Sequence, residues 1–169
     1  INLPADKVDS EIINALSRIG RYMGVDRSFL FQFNWNKTKF RISHLWEADG
    51  IHQDPVVRGV LVRDHFPWLA DNLLAGRDVA VPDVRELSPD EARLEIDYCN
   101  HMGIQSFIVL PIQIENSPLC AIGLDYIRTR KKWLFEDRSR LRLIGEIFAN
   151  AITRQHSEQE LLETYTEIK

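Results

Sequence analysis

Apolar and polar residues alternate along two neighbouring segments near the start of the chain, which is typical of β-strands with one buried face. In residues 27–35 the aromatic positions are Phe29, Phe31, Phe33 and Trp35. In residues 40–46 the alternating positions are Phe40, Ile42, His44 and Trp46. The polar residues 36–39 between them predict a turn, so the two strands should pair antiparallel. The alternation also predicts that Phe31 and Phe33 share one face of the sheet.

A second pair of strands is predicted over residues 107–114 and 119–126, joined by a turn at residues 115–118. Between the two pairs, residues 47–63 show no clear period and are predicted to be loop. The chain therefore contains two local antiparallel pairs that are separated by a long central segment. This arrangement favours a single antiparallel sheet over a parallel one.

The central segment is predicted to hold short elements. A short helix is expected over residues 65–74, followed by a short strand at residues 79–81. A longer helix follows, with Ser88 as its cap, Pro89 in the first turn and Glu91 completing a capping box. Its buried face is predicted to carry Ala92, Ile96 and Cys99.

Helices are also predicted at both ends of the chain. Residues 6–23 carry apolar side chains at helical spacing, and Gly24 suits the C-terminal stop. A final helix is expected from about Phe135 to the last residue. The fold class is therefore α+β: a central antiparallel sheet with the N- and C-terminal helices on one face and short helices and loops on the other.

The final helix changes character along its length. It is rich in apolar residues up to Ile152 and polar after Thr153. A stripe with heptad spacing runs through Leu141, Ile144, Phe148, Ala151, Gln155, Glu158, Leu162 and Tyr165. We expect the first half to pack on the sheet and the second half to form a dimeric coiled coil, with a solvated tail as the alternative. The predicted division is a domain over residues 1–153 and the start of a connecting helix over 154–169.

Composition limits the possible functions. The 169 residues suffice for one domain with a core, and 44% are hydrophobic and 27% charged, as in ordinary globular domains. The net charge of -4 argues against direct nucleic-acid binding. No apolar run approaches the length of about 20 residues that a membrane span needs, so no membrane contact is expected. The chain begins at Ile1 without an initiator Met, so we expect it to be a segment of a longer polypeptide.

No motif indicates catalysis or a metal site. The five histidines are not at metal-ligand spacing with Cys, Asp or Glu, and no nucleophile elbow, P-loop or zinc-protease motif occurs. His44 and Asp125 stand within apolar strands, where each could contact a ligand. A hydrogen-bonded structural role is the preferred alternative for His44, and capping of a backbone amide is the preferred alternative for Asp125. Cys99 and Cys120 are expected to be buried thiols in a reducing compartment rather than a disulfide or reactive pair.

The aromatic residues of the first half have two interpretations. They could simply fill the core, or they could enclose an apolar cavity for a small molecule between the sheet and the short helices. Under the second interpretation the candidate ligand-contacting residues are Phe31, Phe33, Trp46, Phe66, Trp68, Cys99, Met102 and Asp125.

Several short motifs, taken together in order and spacing, resemble those of the GAF domain family. They are Val25-Asp26-Arg27-Ser28, His44-Leu45-Trp46, Gly50-Ile51, Phe66-Pro67-Trp68, Gly103-Ile104-Gln105-Ser106, Pro111-Ile112, Gly123-Leu124-Asp125, Arg130, Trp133 and Gly145 to Ala151. The resemblance extends over nearly the whole chain. The first and last few residues are similar to a bacterial subgroup found in sensor histidine kinases, diguanylate cyclases and sigma-54-dependent regulators.

This resemblance implies a sensory domain in the cytoplasm, without catalytic activity of its own. It implies a homodimer through the terminal helices, an output domain of the same chain, and in many cases a small-molecule pocket. The stripe residues Leu141, Ile144, Phe148, Ala151, Leu162 and Tyr165 would then form the dimer and relay helix. A ligand-free dimerisation module is the main alternative, and a methionine sulfoxide reductase of the GAF type is the least favoured.

The sequence departs from three ligand-binding or catalytic branches of the family. Residues 130–137 lack the Asn-Lys start found in cyclic-nucleotide-binding members. Cys99-Asn100-His101 is not the Cys-His pair that attaches a bilin in phytochrome-like members. Cys99 with Cys120 does not reproduce the redox cysteines of the sulfoxide reductases. The resemblance therefore leaves the ligand unassigned.

Overall fold

The computed structural model of this chain describes residues 7–34, 39–51 and 62–168. Trp35, most of the first predicted turn and most of the predicted loop over 47–63 lie outside these residues. Five described strands form one sheet: β1 (Arg27–Phe33), β2 (Phe40–Glu47), β3 (Val79–Val81), β4 (Ser106–Ile114) and β5 (Ser117–Tyr126). Their order is β2-β1-β5-β4-β3, and each neighbouring pair is antiparallel.

The described helices are α1 (Val8–Met23), α2 (Val62–His65), α3 (Pro67–Leu74), α4 (Pro89–Met102) and α5 (Phe135–Ile168). The short helix predicted over 65–74 corresponds to α3, which begins at Pro67. The separate helix α2 begins within the segment predicted to be loop, and Pro67 cannot continue it. Gly24 adopts the left-handed conformation that ends α1. The final helix runs unbroken for 34 residues, as expected.

The two faces of the sheet carry separate cores. Along β4, Phe107 and Val109 point to the face covered by α3 and α4, which we call the α3–α4 face. Ile108 and Leu110 point to the opposite face, where α1 and α5 pack and which we call the terminal-helix face. The α+β architecture predicted from the sequence, with both terminal helices on one face, is confirmed.

A β-bulge in the first hairpin breaks the predicted alternation. Leu30 pairs with His44 while Phe31 pairs with Ile42, so Ser43 is an extra residue in β2. One extra residue moves every following side chain to the other face. Ile42 thus belongs to the α3–α4 face, whereas Trp46 lies on the terminal-helix face.

The β4–β5 turn and the start of α4 show where the local sequence predictions are right and where they are wrong. The β4–β5 turn has positive φ at Glu115 and Asn116, as a two-residue hairpin requires. The predicted capping box at α4 is wrong, since the Ser88 side chain makes no capping hydrogen bond. Instead its carbonyl oxygen accepts from the amides of Glu91 and Ala92, and the helix is kinked at Ala92.

Candidate functional site

A small cavity lies between the sheet and helices α3 and α4. Its volume is about 50 Å³. Its walls are mostly apolar and come from all three of these elements: Phe29, Phe31, Ile42, Phe66, Leu69, Tyr98, Cys99, Ile104, Phe107 and Val109. Three charged residues complete the lining: Arg27, Glu95 and Asp125.

The structure brings together most of the candidate ligand-contacting residues that the sequence predicted. Four of them line the cavity: Phe31, Phe66, Cys99 and Asp125. Three others pack in the same apolar cluster without lining the cavity: Phe33, Trp68 and Met102.

Trp46 was placed on the wrong face by the alternation, because the bulge at Ser43 turns it away from the cavity. Its ring packs against α1, where a Cβ added to Gly20 would clash with the ring carbons of Trp46. Trp46 therefore holds α1 against the sheet, and it does not belong to this site.

Arg27 is the central charged group of the site and is almost completely buried. Its position follows from strand register, because its cross-strand neighbours are Glu47 on β2 and Asp125 on β5. Its guanidinium donates a hydrogen bond to the Tyr98 hydroxyl at 3.1 Å and lies 3.6 Å from the Asp125 carboxylate and 3.7 Å from that of Glu47. Burial alone would lower the pKa of Arg27, but Asp125, Tyr98 and Glu47 offset this and raise it.

Asp125 faces Arg27 from the neighbouring strand. Burial raises the pKa of its carboxyl group to about 6, and the charge of Arg27 only partly opposes that rise. The predicted amide-capping role belongs to Asp26 instead. The Asp26 carboxylate accepts from the amides of Ile127 and Arg128 at 2.6 and 2.9 Å, which fixes the chain as it leaves β5.

Glu95 is a site residue that the sequence analysis missed. It lies on the buried face of α4, where its Oε2 accepts a hydrogen bond from the Leu69 amide at 3.1 Å in the first turn of α3. Within the described residues its Oε1 has no hydrogen-bond partner. Burial raises the pKa of Glu95, although the backbone amides of Leu69, Glu95 and Trp68 act in the opposite direction. Helical spacing from Ala92 and Cys99 could have indicated this position.

The two cysteines do not form a redox pair, because they lie on opposite faces of the sheet. Cys99 borders the cavity, whereas Cys120 is buried on the terminal-helix face. Burial raises the pKa of the Cys99 thiol well above its usual range, so the thiol stays protonated and is a poor nucleophile.

His44 is a buried, hydrogen-bonded residue that connects β2 to α1. Its ring nitrogens lie 2.7 Å from the Ser43 hydroxyl and 2.9 Å from an oxygen of Asp9 on α1. In the part of the chain that the structure describes, no group of three His, Cys, Asp or Glu residues is arranged to hold a metal ion. Among the same residues, no helix has the length and apolar character needed to span a bilayer.

Helix α5, predicted from the sequence to be a relay helix, has a buried half and an exposed half. Leu141 and Phe148 are buried against the sheet, and Ile144 and Ala151 pack partly against the same core. All positions from 157 to 168 are exposed, including Leu162 and Tyr165. Beside the buried half, an apolar groove of about 460 Å³ runs between α1 and α5. Its lining includes Ala15, Ile19, Tyr22, Leu143 and Ile147.

Comparisons with known proteins agree with this architecture. The family model of the GAF domain matches residues 9–152, and the chain therefore belongs to the GAF domain family. A comparison with curated protein sequences gives no significant match.

Solved structures with the same fold include domains of light-sensing proteins. The photoproduct state of GAF3 from Slr1393 of Synechocystis sp. PCC6803 has a TM-score of 0.70 at 14% identity, covering 94% of this chain and 98% of that one. The PixJ GAF domain of Thermosynechococcus elongatus in its blue-light-absorbing form has a TM-score of 0.70 at 13% identity, with 96% and 94% covered. The phycoerythrobilin-bound GAF domain of a cyanobacterial phytochrome has a TM-score of 0.69 at 15% identity, with 90% and 89% covered. At these identities the similarity concerns the fold alone.

Proposed function

We propose that this chain is the sensory domain of a bacterial signal-transduction protein, such as a sensor histidine kinase, a diguanylate cyclase or a sigma-54-dependent regulator. A small molecule in the cavity changes the packing of the sheet, and α5 carries that change to an output domain. The chain acts in the cytoplasm and has no catalytic activity of its own. Membership of the GAF family supports a sensory role, as does the shared fold with photoreceptor domains.

One observation carries the proposal: the same two strands form the cavity wall and the seat of α5. Val109 on β4 lines the cavity, and the alternate residues Leu110 and Ile112 face α5. At Gly145 the helix comes so close that an added Cβ would lie 2.6 Å from Ile112 and 3.1 Å from Ile122. With no slack at this contact, a shift of β4 or β5 must move α5 as well.

Polar contacts tie α5 to the same edge of the sheet. Arg142 of α5 forms an ion pair of 2.6 Å with Asp78, which directly precedes β3. The Trp133 ring nitrogen, just before α5, donates to the carbonyl oxygen of Val81 at 3.4 Å. Since Val79 and Val81 pack into the cavity-side core, the edge strand offers a second path from the cavity to α5.

The ligand is not expected to be a bilin. An open-chain tetrapyrrole is far larger than a cavity of about 50 Å³. Cys99 is the cysteine that borders this cavity, and its protonated, buried thiol is poorly suited to attach one.

A cavity-filling variant tests the relay without knowledge of the ligand. Cys99→Met places extra side-chain atoms in the cavity and should imitate occupation. We expect amide hydrogen exchange to change in α5 between residues 141 and 152. Asn100→Met is the matched control, since this exposed neighbour on α4 points away from the cavity. A stably folded Cys99→Met protein with unaltered exchange in α5 would contradict the relay.

We also propose that a second copy of the chain pairs with α5. The heptad stripe ends in Leu162 and Tyr165, which are 66% and 58% exposed. Leu162→Glu and Tyr165→Glu should lower the mass measured by light scattering at a given concentration, because charges in a coiled-coil seam are unfavourable. Leu161→Glu is the matched control outside the stripe. Equal masses for all variants would exclude a seam at these positions.

The small cavity volume favours a second candidate, a dimerisation module without a ligand. In that case the charged lining serves only to fix α3 and α4 on the sheet. Native mass spectrometry of gently purified protein separates the two functions. An added mass that remains with the folded chain supports the sensory function, whereas its consistent absence supports the structural module.

A further inference from the structure

The charges around the cavity are unbalanced. Its lining holds one cation, Arg27, and two carboxylates, Glu95 and Asp125. Arg27 lies 3.6 Å from the Asp125 carboxylate and 3.7 Å from that of Glu47 and donates to the Tyr98 hydroxyl, while its Nε has no hydrogen-bond partner among the described residues. Because more than one carboxylate already opposes this single cation, the net field of these charged groups disfavours phosphates and carboxylates.

Glu95 has more hydrogen-bonding capacity than its structural role uses. Its Oε2 accepts from the Leu69 amide, which accounts for its place beside the start of α3. Glu95 lines the cavity, and its Oε1 is buried and has no hydrogen-bond partner among the described residues. Leaving a buried acceptor unsatisfied is costly, and more so for a charged group. A donor placed in the cavity would remove that cost.

The size and walls of the cavity restrict this donor. A dry cavity of about 150 Å³ accommodates a benzene-sized molecule, and the present cavity is about 50 Å³. A ligand that fits without rearrangement has only a few heavy atoms. The phenylalanine rings at positions 29, 31, 66 and 107 suit a short alkyl group, and aromatic faces also attract cations.

We propose that the cavity selects a small organic cation, a protonated primary amine of a few heavy atoms, whose ammonium group donates to Oε1 of Glu95 while its alkyl part contacts the phenylalanine rings. The inference rests on the proposed sensory function and names the ligand class of that same site. Occupation would neutralise the excess negative charge and tighten the contact between α3 and α4.

The experiment compares three probes of similar size and different charge: ethylammonium, ethanol and acetate, at constant ionic strength. Binding is followed by NMR on the full chain, with the Leu69 amide as the reporter because it donates to Glu95. Ethylammonium should give saturable shifts at this amide and at Cys99. Ethanol should bind at least about tenfold more weakly, as expected when a charged hydrogen bond becomes a neutral one. Acetate should not bind.

A matched pair of variants locates the interaction. Glu95→Gln keeps the shape and an acceptor for the Leu69 amide but removes the charge, so it should weaken ethylammonium binding at least about tenfold. Asp97→Asn removes one charge from the exposed face of the same helix and should leave binding unchanged. Undiminished binding to the Glu95→Gln variant would overturn the proposal.

The probe series stands independently of these variants, should Glu95→Gln fail to fold. Absence of ethylammonium binding overturns the proposal and indicates a cavity filled by water. Acetate or ethanol binding as tightly as ethylammonium overturns it too. If Cys99→Met alters α5 while ethylammonium does not bind, only the ligand class is wrong. If ethylammonium binds while α5 stays unchanged in both experiments, the ligand class holds and the relay fails.

Discussion

The two faces of the sheet differ in what they bury. The terminal-helix face is closely packed with aliphatic side chains, and Leu110, Ile122, Leu124 and Leu141 are fully buried there. The α3–α4 face carries the cavity and a buried group of charges around Arg27. Burying charge is costly even when the charges are paired, and an open cavity forfeits packing energy. The first face thus contributes stability, whereas the second gives up stability at the candidate site.

The different packing of the two sheet faces has a mechanical consequence. A closely packed face transmits displacement, while a face with free volume can adopt more than one packing arrangement. A ligand shifts such a balance only by its different affinity for the two arrangements. This difference in packing between the faces is therefore the arrangement that the proposed relay would require.

The largest expected contrast comes from deleting one leucine on each face. Leu110→Ala should lower the free energy of unfolding by about 2–5 kcal/mol, because the helices around it cannot collapse into the space. Leu69→Ala, which enlarges the existing cavity, should cost clearly less, since Leu69 already lacks neighbours on one side. Urea unfolding at one pH measures both.

An equal loss for the two variants would show that the α3–α4 face is packed as tightly as its opposite. Unchanged m-values in both variants are needed for this comparison, because only then does a shifted midpoint report stability alone. Leu143→Ala is the control for helix propensity and surface effects, since this α5 residue is 60% exposed. Its effect should be much the smallest of the three.

The sequence predicted the elements of the fold that depend on local hydrophobic periodicity and composition. Alternation located β1 and β2, apolar runs bounded by turns located β3, β4 and β5, and helical spacing located α1, α4 and α5. The change to polar residues after Thr153 located the exposed half of α5. These patterns are local and repeat over several residues. The order of these elements then predicted the arrangement of helices on the sheet, which the structure confirms, and the resemblance to the GAF family is confirmed by the family match.

The contacts among the charged residues of the site could not be predicted from such local patterns. Arg27 meets Glu47 and Asp125 only through the register of three strands, and a single extra residue at Ser43 decides that register on one side. Glu95 was overlooked because a Glu on a helix is usually solvated, and its partner amide lies on a separate helix. Such features depend on contacts between segments distant in sequence, which no local pattern records.

A smaller contrast comes from adding one methyl group on each face. Gly145→Ala and Gly123→Ala both gain about 0.5–1 kcal/mol from the loss of glycine flexibility. At Gly145 the new carbon meets Ile112 in a filled core, so α5 must lift from the sheet and a net loss of about 1–2 kcal/mol is expected. At Gly123 it meets the Phe29 ring, which borders the cavity and can swing into it, so stability should stay nearly unchanged.

Thermal unfolding and the NMR signal of the Phe29 ring test this pair. A displaced ring with preserved stability in Gly123→Ala supports usable free volume on the α3–α4 face. A loss in Gly123→Ala as large as that in Gly145→Ala would mean that the cavity cannot accept the ring, and the mechanical difference between the faces would disappear.

The smallest effect concerns the charge buried on the α3–α4 face. The pKa of Asp125 is about 6 in the folded chain, above the usual value of 3.8, because burial disfavours the carboxylate. The folded state therefore holds its proton to higher pH than the unfolded state does. The bound proton therefore stabilises the folded state. This stabilisation is fully present below the pKa of the unfolded state and is lost as pH rises through about 6. Between pH 5 and 7 the loss should be about 1 kcal/mol.

Asp125→Asn should remove this part of the pH dependence, because asparagine does not titrate. Urea unfolding at pH 5 and pH 7 measures it, and Asp97→Asn on the exposed face of α4 should retain the wild-type slope. An Asp125→Asn variant with the same slope as wild type would place the titrating group elsewhere. It would also mean that Arg27 keeps Asp125 ionised from pH 5 to pH 7. Asp125 would then make no contribution to the pH dependence of stability.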